Sequence, residues 1–303
     1  MSARILDDAT TGTIKIGDIS VRRLGFGAMR ISSARNAEGK LDRAEAVKLT
    51  KRVYERGVNF FDAANIYGYG ACEEIIAEAL HPYPKDVLIA SKAGFATIEM
   101  TKEMRSLPPD GNPRRIREET EKSLRRLRVD CIDLHQSHVP DPAYPYADTI
   151  GAFAELQKEG KIRHVGVSNV SLEQLRIAQS VVKVVSVQNR YNVGSRDSED
   201  VLAACEKEGI AFLPYRPVGL RNTPADNLIA ELAQKHHAAT QQVALVWLLK
   251  HSPVMLPIPG TSNIHHLDEN IDAAWLSISD AEIAALDAAA APQEGKKAAS
   301  PFS

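Results

Sequence analysis

Cysteine, net charge and long apolar runs are all scarce in this sequence, and each scarcity excludes a class of protein. The 303 residues include 3 cysteines, Cys72, Cys131 and Cys205, which form no CxxC motif and cannot all pair with one another. This excludes a disulfide scaffold and favours a reducing, cytoplasmic compartment. The 37 basic and 39 acidic residues leave a net charge of -2, so we expect no overall attraction to nucleic acid. No run of about 18 apolar residues or signal-peptide core occurs, so we expect no membrane association.

The remaining composition is typical of a folded globular protein. Hydrophobic residues make up 44% of the chain and charged residues 25%, which provides enough apolar material for a large core. The length alone suits two average domains, but an α/β barrel uses about 250 residues as one domain. We therefore expect a single domain over residues 1–303, with its core at about 14–285 and a loosely ordered tail at about 288–303.

The order of apolar segments predicts the fold class. The segment TGTIKIGDIS alternates apolar and polar residues around Gly17-Asp18, which predicts a short N-terminal β-hairpin. Eight short apolar strands follow, nearly all of them separated by helical patterns, and they span residues 21–27, 58–62, 86–91, 131–138, 162–168, 184–188, 210–215 and 254–260. This alternation predicts an α/β fold, a (β/α)8 TIM barrel. A doubly wound sheet is the alternative, but Gly25-Phe26-Gly27 lacks the third glycine of its phosphate loop.

Polar side chains stand at the carboxyl ends of the predicted strands. In a barrel of this kind these ends meet on one face, where active sites are built. The residues at these ends that can hydrogen bond or carry charge are Asp62, Lys92, Gln136, Ser137, His138, Ser168, Asn169, Gln188, Tyr215 and Arg216. Any one of them is weak evidence alone, but together they predict one polar site on that face.

Several motifs in order make the chain resemble a known family. They are LGFGAMR (24–30), DAANIYG (62–68), Lys92, DLHQSHVPDP (133–142), IRHVGVSN (162–169), VQNRYN (187–192) and PGTSNIHHLDEN (259–270). Together they resemble the aldo-keto reductases over about residues 14–285, and within them the bacterial members typified by pyridoxal reductase. The resemblance implies an NADP-dependent oxidoreductase that reduces an aldehyde or ketone to the alcohol.

The resemblance also implies a catalytic tetrad, formed by Asp62, Tyr67, Lys92 and His138. Carbonyl reduction needs a proton for the developing alkoxide, and a phenol donates it better beside an ammonium group, which lowers the phenol's pKa. Lys92 can supply that charge, Asp62 can keep Lys92 charged, and His138 can hydrogen-bond the carbonyl oxygen. His135 lies nearer the middle of its strand and is not the expected catalytic histidine.

The cofactor implied by the resemblance is NADPH, with NADH as the less favoured alternative. The residues expected to bind it are Gly27, Ala28, Met29, Ser168, Asn169, Gln188, Tyr215, Arg216, Gly260, Thr261, Ser262, Asn263, Glu269 and Asn270. Gly260 and His266 stand where many family members have a Lys and an Arg for the 2′-phosphate. The expected substrate wall consists of Ile66, Phe95 and Val139, with Met29 beside them.

Other activities remain open from the residues alone. Lys92 suits a Schiff-base aldolase, and a non-catalytic NADP-binding regulatory barrel is the alternative from another functional class. A metal-dependent hydrolase needs clustered ligands at several strand ends, so we expect no metal. The expected partner is a small carbonyl substrate, with pyridoxal as a candidate. We expect a monomer or a weak homo-oligomer.

Overall fold

Strands and helices alternate along the chain in the computed structural model, which describes residues 4–34, 38–39, 41–97, 107–218 and 224–289. The strands are β1 (Thr13–Ile16), β2 (Ile19–Arg22), β3 (Phe26–Gly27), β4 (Phe60–Asp62), β5 (Leu88–Ala93), β6 (Ile132–Ser137), β7 (Ile162–Ser168), β8 (Val184–Gln188) and β9 (Ala211–Phe212). The α-helices are α1 (Asp8–Thr11), α2 (Arg43–Glu55), α3 (Ala71–Leu80), α4 (Pro113–Leu127), α5 (Tyr146–Lys158), α6 (Leu172–Val181), α7 (Glu199–Glu208), α8 (Pro224–Lys235), α9 (Thr240–His251), α10 (Ile264–Asp272) and α11 (Asp280–Ala289).

Seven of these strands form one parallel sheet, in the order β3-β4-β5-β6-β7-β8-β9. The segment 254–260 closes it into a barrel. On one side Leu256 N–H donates to Phe212 O at 2.8 Å, and on the other Gly25 N–H donates to Pro257 O at 2.9 Å. The segment is not a regular strand because Pro257 and Pro259 have no N–H to donate. The predicted (β/α)8 barrel is thus confirmed, with an irregular eighth strand.

The N-terminal hairpin is also confirmed, and it packs on the barrel. β1 and β2 pair antiparallel, with Ile16 opposite Ile19. Ile16 and Val21 are fully buried in one cluster with Phe60 and Leu88, which stand at or near the starts of β4 and β5. The hairpin therefore covers the end of the barrel opposite the carboxyl ends of the strands. The predicted strand at 21–27 was wrong at its start, because its first two residues belong to the hairpin.

Two apolar layers hold the barrel together. Inside, residues such as Leu134 and Leu256 point toward one another, while outside, residues such as Phe153 and Trp247 pack between helices and strands. Full burial of a large apolar side chain contributes about 1.5–3 kcal/mol, so this core fixes the strand ends in place. Within the described ranges, no helix is long and apolar enough to cross a membrane.

Helix α11 is held against the rest of the protein by hydrogen bonds to one carboxylate. Asp287 of α11 accepts hydrogen bonds from Trp247 Nε1 at 3.0 Å, His251 Nδ1 at 3.1 Å and Arg196 Nη2 at 2.9 Å. The predicted loose tail was placed to begin at about residue 288, but residues 288–289 belong to α11. The rest of the predicted tail, 290–303, lies outside the described residues.

Candidate active site

A cavity of about 690 Å³ opens at the carboxyl ends of the barrel strands. Thirteen of the residues expected at the site line it: Gly27, Met29, Asp62, Ile66, Tyr67, Phe95, His138, Ser168, Asn169, Gln188, Tyr215, Arg216 and Gly260. The lining also includes Arg30, Pro217, Val218 and Ile258, which the sequence analysis did not assign to the site. Arg30 directly follows the LGFGAM segment, so its place at the end of the first predicted strand could have identified it as a site residue.

Three of the expected residues meet at the edge of this cavity. Lys92 Nζ, which is fully buried, donates to Asp62 Oδ2 at 2.8 Å and to Tyr67 Oη at 3.2 Å. It also donates to the backbone oxygen of Ala63 at 2.8 Å. Lys92 and Asp62 come together because β4 and β5 are adjacent parallel strands. Asp62 stands opposite Ala90, which is two residues before Lys92 on β5.

These contacts fix the direction of the tyrosine proton. An ammonium group has three N–H donors and no acceptor, and all three donors of Lys92 are used in the contacts above. The Tyr67 oxygen therefore accepts from Lys92. Its own proton must point away from the ammonium, on the side where Tyr67 lines the cavity.

A left-handed turn holds Tyr67 in this position. Gly68, Tyr69 and Gly70 have φ values of 59°, 57° and 92°, which glycine adopts far more readily than other residues. A Cβ atom at Gly68 would lie 2.5 Å from the Cβ of Ser32. The YGYG sequence thus allows the chain to turn sharply from the tyrosine into α3.

Charge and burial act against each other at Lys92 and Tyr67. Burial alone would lower the pKa of Lys92, but Asp62 and Tyr67 outweigh it, and the pKa lies above its ordinary value. For Tyr67, burial raises the pKa to about 12, although Lys92 lowers it in part. Lys92 therefore lowers the pKa of the Tyr67 phenol, as expected. Desolvation is the larger effect on the phenol, so the net shift of its pKa is upward.

His135 on β6 and His138, which directly follows this strand, point in opposite directions. The His138 ring packs edge-on against Tyr67 and Phe95, with centroid distances of 5.9 Å and 4.7 Å. Burial lowers the pKa of His138 well below its usual value, so the ring is neutral. His135 instead points toward the helices, where its Nε2 lies 3.0 Å from Thr120 Oγ1. It is fully buried, and it does not line the cavity.

Several residues expected to bind a cofactor hydrogen-bond to one another. Tyr215 Oη donates to Asn169 Oδ1 at 2.8 Å, and Asn169 Nδ2 donates to His138 O at 2.9 Å. Gln188 Nε2 donates to Asp62 Oδ1 at 2.8 Å, a contact that the sequence analysis did not predict. Asn169 and Arg216 have positive φ values of 57° and 52°. Such strain in residues other than glycine is typical of ligand sites.

The backbone after the eighth strand approaches the first strand very closely. A Cβ atom at Gly260 would lie 2.3 Å from Gly27 O, and one at Gly27 would lie 2.6 Å from Ile258 O. Only glycine fits at both positions, so the cavity wall here is bare backbone. The N-terminus of α10 follows directly and is capped by Asn263, whose Oδ1 accepts from His265 N–H at 2.8 Å.

The other expected residues lie outside the cavity lining. Ala28 and Val139 are buried and do not line this cavity, so the substrate-wall role of Val139 stays a prediction. Thr261, Ser262, Asn263, Glu269 and Asn270 are placed at the start and along the length of α10. Thr261 Oγ1 accepts from Asn263 N–H at 3.0 Å. Of these five residues, Thr261, Ser262 and Asn263 directly follow Gly260, which lines the cavity.

Comparison with known proteins identifies the family, since residues 23–291 match the aldo/keto reductase family. The chain belongs to the aldo/keto reductase family. The resemblance found in the sequence motifs is thereby confirmed, and so is the oxidoreductase class.

Individual relatives match nearly the whole chain. An uncharacterized oxidoreductase of Schizosaccharomyces pombe is 39% identical over 297 residues, covering 96% of this chain and 94% of the relative. Pyridoxine 4-dehydrogenase of Escherichia coli is 34% identical over 284 residues, covering 92% of this chain and 98% of the relative. An aldo/keto reductase from Klebsiella pneumoniae, solved in complex with NADP and acetate, has a TM-score of 0.77 at 25% identity and covers 94% of this chain and 97% of its own.

Proposed function

We propose that this aldo/keto reductase uses NADPH to reduce an aldehyde, with Tyr67 as the proton donor. One observation carries the proposal: a buried, charged Lys92 holds the Tyr67 oxygen at 3.2 Å on the edge of a cavity of about 690 Å³. This arrangement leaves the phenol proton free to reach a ligand. It gives Lys92 no open side from which to attack a carbonyl, which disfavours a Schiff-base role.

The residues divide the chemistry of carbonyl reduction among them. When bound, the reduced nicotinamide supplies the hydride. Tyr67 donates its proton to the carbonyl oxygen, and the Lys92 ammonium stabilises the phenolate that remains. Asp62 keeps Lys92 charged and in place. Neutral His138 hydrogen-bonds the carbonyl oxygen. Its Nδ1 is buried without a hydrogen-bond partner among the described residues.

The residues present fit a dinucleotide. Ser168, Asn169 and Gln188 offer amide and hydroxyl groups for the nicotinamide carboxamide, and the Tyr215 ring offers a face for stacking. The bare backbone at Gly27 and Gly260 permits close approach of phosphates, as does the N-terminus of α10. The remaining expected contacts are Ala28, Met29, Arg216, Thr261, Ser262, Asn263, Glu269 and Asn270. The NADP complex of the Klebsiella relative supports NADPH over NADH.

Pyridoxal is the first substrate to test, because the Escherichia coli relative is a pyridoxine 4-dehydrogenase. Met29, Ile66 and Phe95 line the cavity and form an apolar wall for a planar aldehyde. The test is NADPH oxidation by the purified protein with pyridoxal and with 4-nitrobenzaldehyde. Turnover of either aldehyde is the expected result. Tight NADPH binding with no turnover of any aldehyde would instead favour the regulatory barrel.

Replacing the two β6-region histidines should separate their roles. We expect His138→Ala to lower kcat/KM for the aldehyde by about 10²-fold, because a hydrogen bond to the developing oxyanion is lost. His135→Ala should lower the melting temperature, since it removes a buried side chain and the partner of Thr120, but it should leave kcat/KM within about threefold. Steady-state kinetics and thermal melts of both variants measure these changes in kcat/KM and melting temperature. The reverse ranking of kcat/KM would contradict the placement of His138.

The pH dependence of reduction should be flat over the neutral range. Tyr67, with a pKa of about 12, keeps its proton as pH rises, and His138, with a pKa well below its usual value, stays neutral as pH falls. We therefore expect a level kcat/KM between about pH 6 and pH 9, with loss only at higher pH as the phenol ionises. Initial rates at constant ionic strength test this. A loss of activity with a midpoint below pH 9 would contradict it.

Two further expectations have indirect support, and the others stay predictions. We infer a single domain over 1–303, which the match to residues 23–291 supports. A reducing, cytoplasmic location is supported by three cysteines that form no disulfide. A monomer or weak homo-oligomer stays a prediction, as do the absence of a metal and of a nucleic-acid or membrane partner.

A further inference from the structure

Polar side chains from alternate strands meet inside the barrel beside Lys92. Asp62, Gln136 and Gln188 belong to β4, β6 and β8, the second, fourth and sixth barrel strands. Alternate strands of such a barrel supply the same interior layer of side chains. The three residues are 2%, 0% and 2% exposed, so their polar groups depend entirely on one another and on their neighbours.

The two oxygens of the Asp62 carboxylate have different partners. Oδ2 accepts from Lys92 Nζ at 2.8 Å. Oδ1 accepts from Gln188 Nε2 at 2.8 Å and from Gln136 Nε2 at 3.3 Å. The other end of the Gln136 amide accepts from Ser186 Oγ at 3.4 Å. Hydrogen bonds to a charged acceptor are stronger than those between neutral groups, so both amides support the carboxylate of this ion pair.

An apolar side chain at the position of Gln136 would cost less free energy to bury than the amide does. Two residues earlier on the same strand and face, Leu134 packs into the apolar barrel interior. A buried amide loses its hydrogen bonds to water and needs protein partners in their place. Among the described side chains, Gln136 finds these partners only in Asp62 and Ser186. Packing therefore does not account for a glutamine here, whereas support of the Asp62 charge does.

We propose that Gln136 and Gln188 form an amide clamp that holds Asp62 as the ionised partner of Lys92 and thereby keeps the ammonium on the Tyr67 oxygen. Gln136 is a positioning residue, because it acts through Asp62 and does not line the cavity. Gln188 lines the cavity as well, so it touches both the clamp and the ligand space. The inference rests on the proposed function, since its effect on rate is read through proton donation by Tyr67.

Gln136→Met tests the clamp, because it keeps the length of the side chain and removes both polar ends. We expect the single-turnover rate of NADPH oxidation with pyridoxal to fall about 10-fold, as a hydrogen bond to a charged group is lost. The Kd for NADPH should stay within about threefold. Leu134→Met is the matched control, since it alters the same strand and face without touching Asp62. This control should retain the wild-type rate.

Gln136→Glu adds a signature that a merely structural role would not give. A protonated carboxylic acid can donate to Asp62 as the amide does, whereas an ionised one repels it. The charged groups facing this position are Asp62 on β4 and Lys92, which stands opposite it in the β5–β6 register. From β8, Ser186 and Gln188 carry no charge. The variant should therefore approach the wild-type rate at about pH 6 and lose activity as pH rises, a dependence that the wild type lacks.

A crystal structure of Gln136→Met tests the clamp without any turnover. We expect the Lys92–Tyr67 contact, 3.2 Å in the intact protein, to open beyond about 3.5 Å. Unchanged geometry together with a wild-type single-turnover rate would overturn the clamp. Equal losses in rate, NADPH affinity and melting temperature would assign Gln136 a structural role and overturn it also. If the wild type reduces no aldehyde, the proposed function fails, and the crystal structure still decides the clamp.

Discussion

Tyr67→Phe is expected to lower kcat by about 10³-fold while NADPH affinity stays within about threefold. The hydroxyl is the group that donates the proton in the proposed mechanism, and general acid catalysis contributes about 10²–10⁴-fold. Phenylalanine keeps the ring that packs edge-on against His138 at 5.9 Å, so the shape of the cavity is retained. The measurement is steady-state kinetics with an aldehyde, beside fluorescence titration with NADPH.

Tyr69→Phe is the control for this variant. Tyr69 lies two residues away and is 44% exposed, and it does not line the cavity. Loss of its hydroxyl should leave kcat within about twofold, as expected for a surface substitution. A Tyr67→Phe enzyme with the wild-type kcat would remove Tyr67 from the reaction, and a similar loss in both variants would point to a disturbed turn.

Lys92→Met is expected to slow catalysis strongly and to destabilise the fold as well. Removing one partner of a buried ion pair costs about 3–5 kcal/mol, because the other charge is left without compensation. Here the carboxylate of Asp62 would lose its 2.8 Å contact with the ammonium. The Tyr67 phenolate would also lose its stabilising charge, so kcat should fall by at least about 10²-fold. Urea unfolding and aldehyde kinetics measure the two effects.

Lys161→Met separates these effects from the loss of any lysine. Lys161 pairs with Glu121 at 2.7 Å and Glu159 at 3.4 Å, and its side chain is 32% exposed. Pairs of this kind contribute about 0–1 kcal/mol, so stability and kcat should change little. A Lys92→Met protein as stable as the wild type would contradict a stabilising role for the buried Lys92–Asp62 ion pair.

The alternation of strands and helices was readable from the sequence because hydrophobic periodicity and glycine stops are local signals. Helix α5 (Tyr146–Lys158), for example, ends two residues before Gly160. The irregular eighth strand was not readable. Its apolar residues are typical of a strand, but the loss of regular pairing at Pro257 and Pro259 depends on which neighbours it meets.

The candidate site was predictable to the extent that it lies at strand ends. Asp62, Lys92 and Tyr67 were expected to interact, and the structure brings them together. The pairing of Gln188 with Asp62 was not expected, since residues 126 apart give no local signal of contact. The pKa of Tyr67 was also beyond sequence reasoning, because burial outweighs the lysine charge only in the folded protein.

Transfer of deuterium from NADPH labelled at C4 tests directly whether this protein reduces an aldehyde with Tyr67 as the proton donor. The protein, the labelled cofactor and pyridoxal would be incubated together, and the alcohol would be analysed by mass spectrometry. We expect an alcohol that carries one deuterium, formed at a rate that Tyr67→Phe lowers by about 10³-fold. NADPH bound at the cavity with no labelled alcohol from pyridoxal or from any other aldehyde would contradict it.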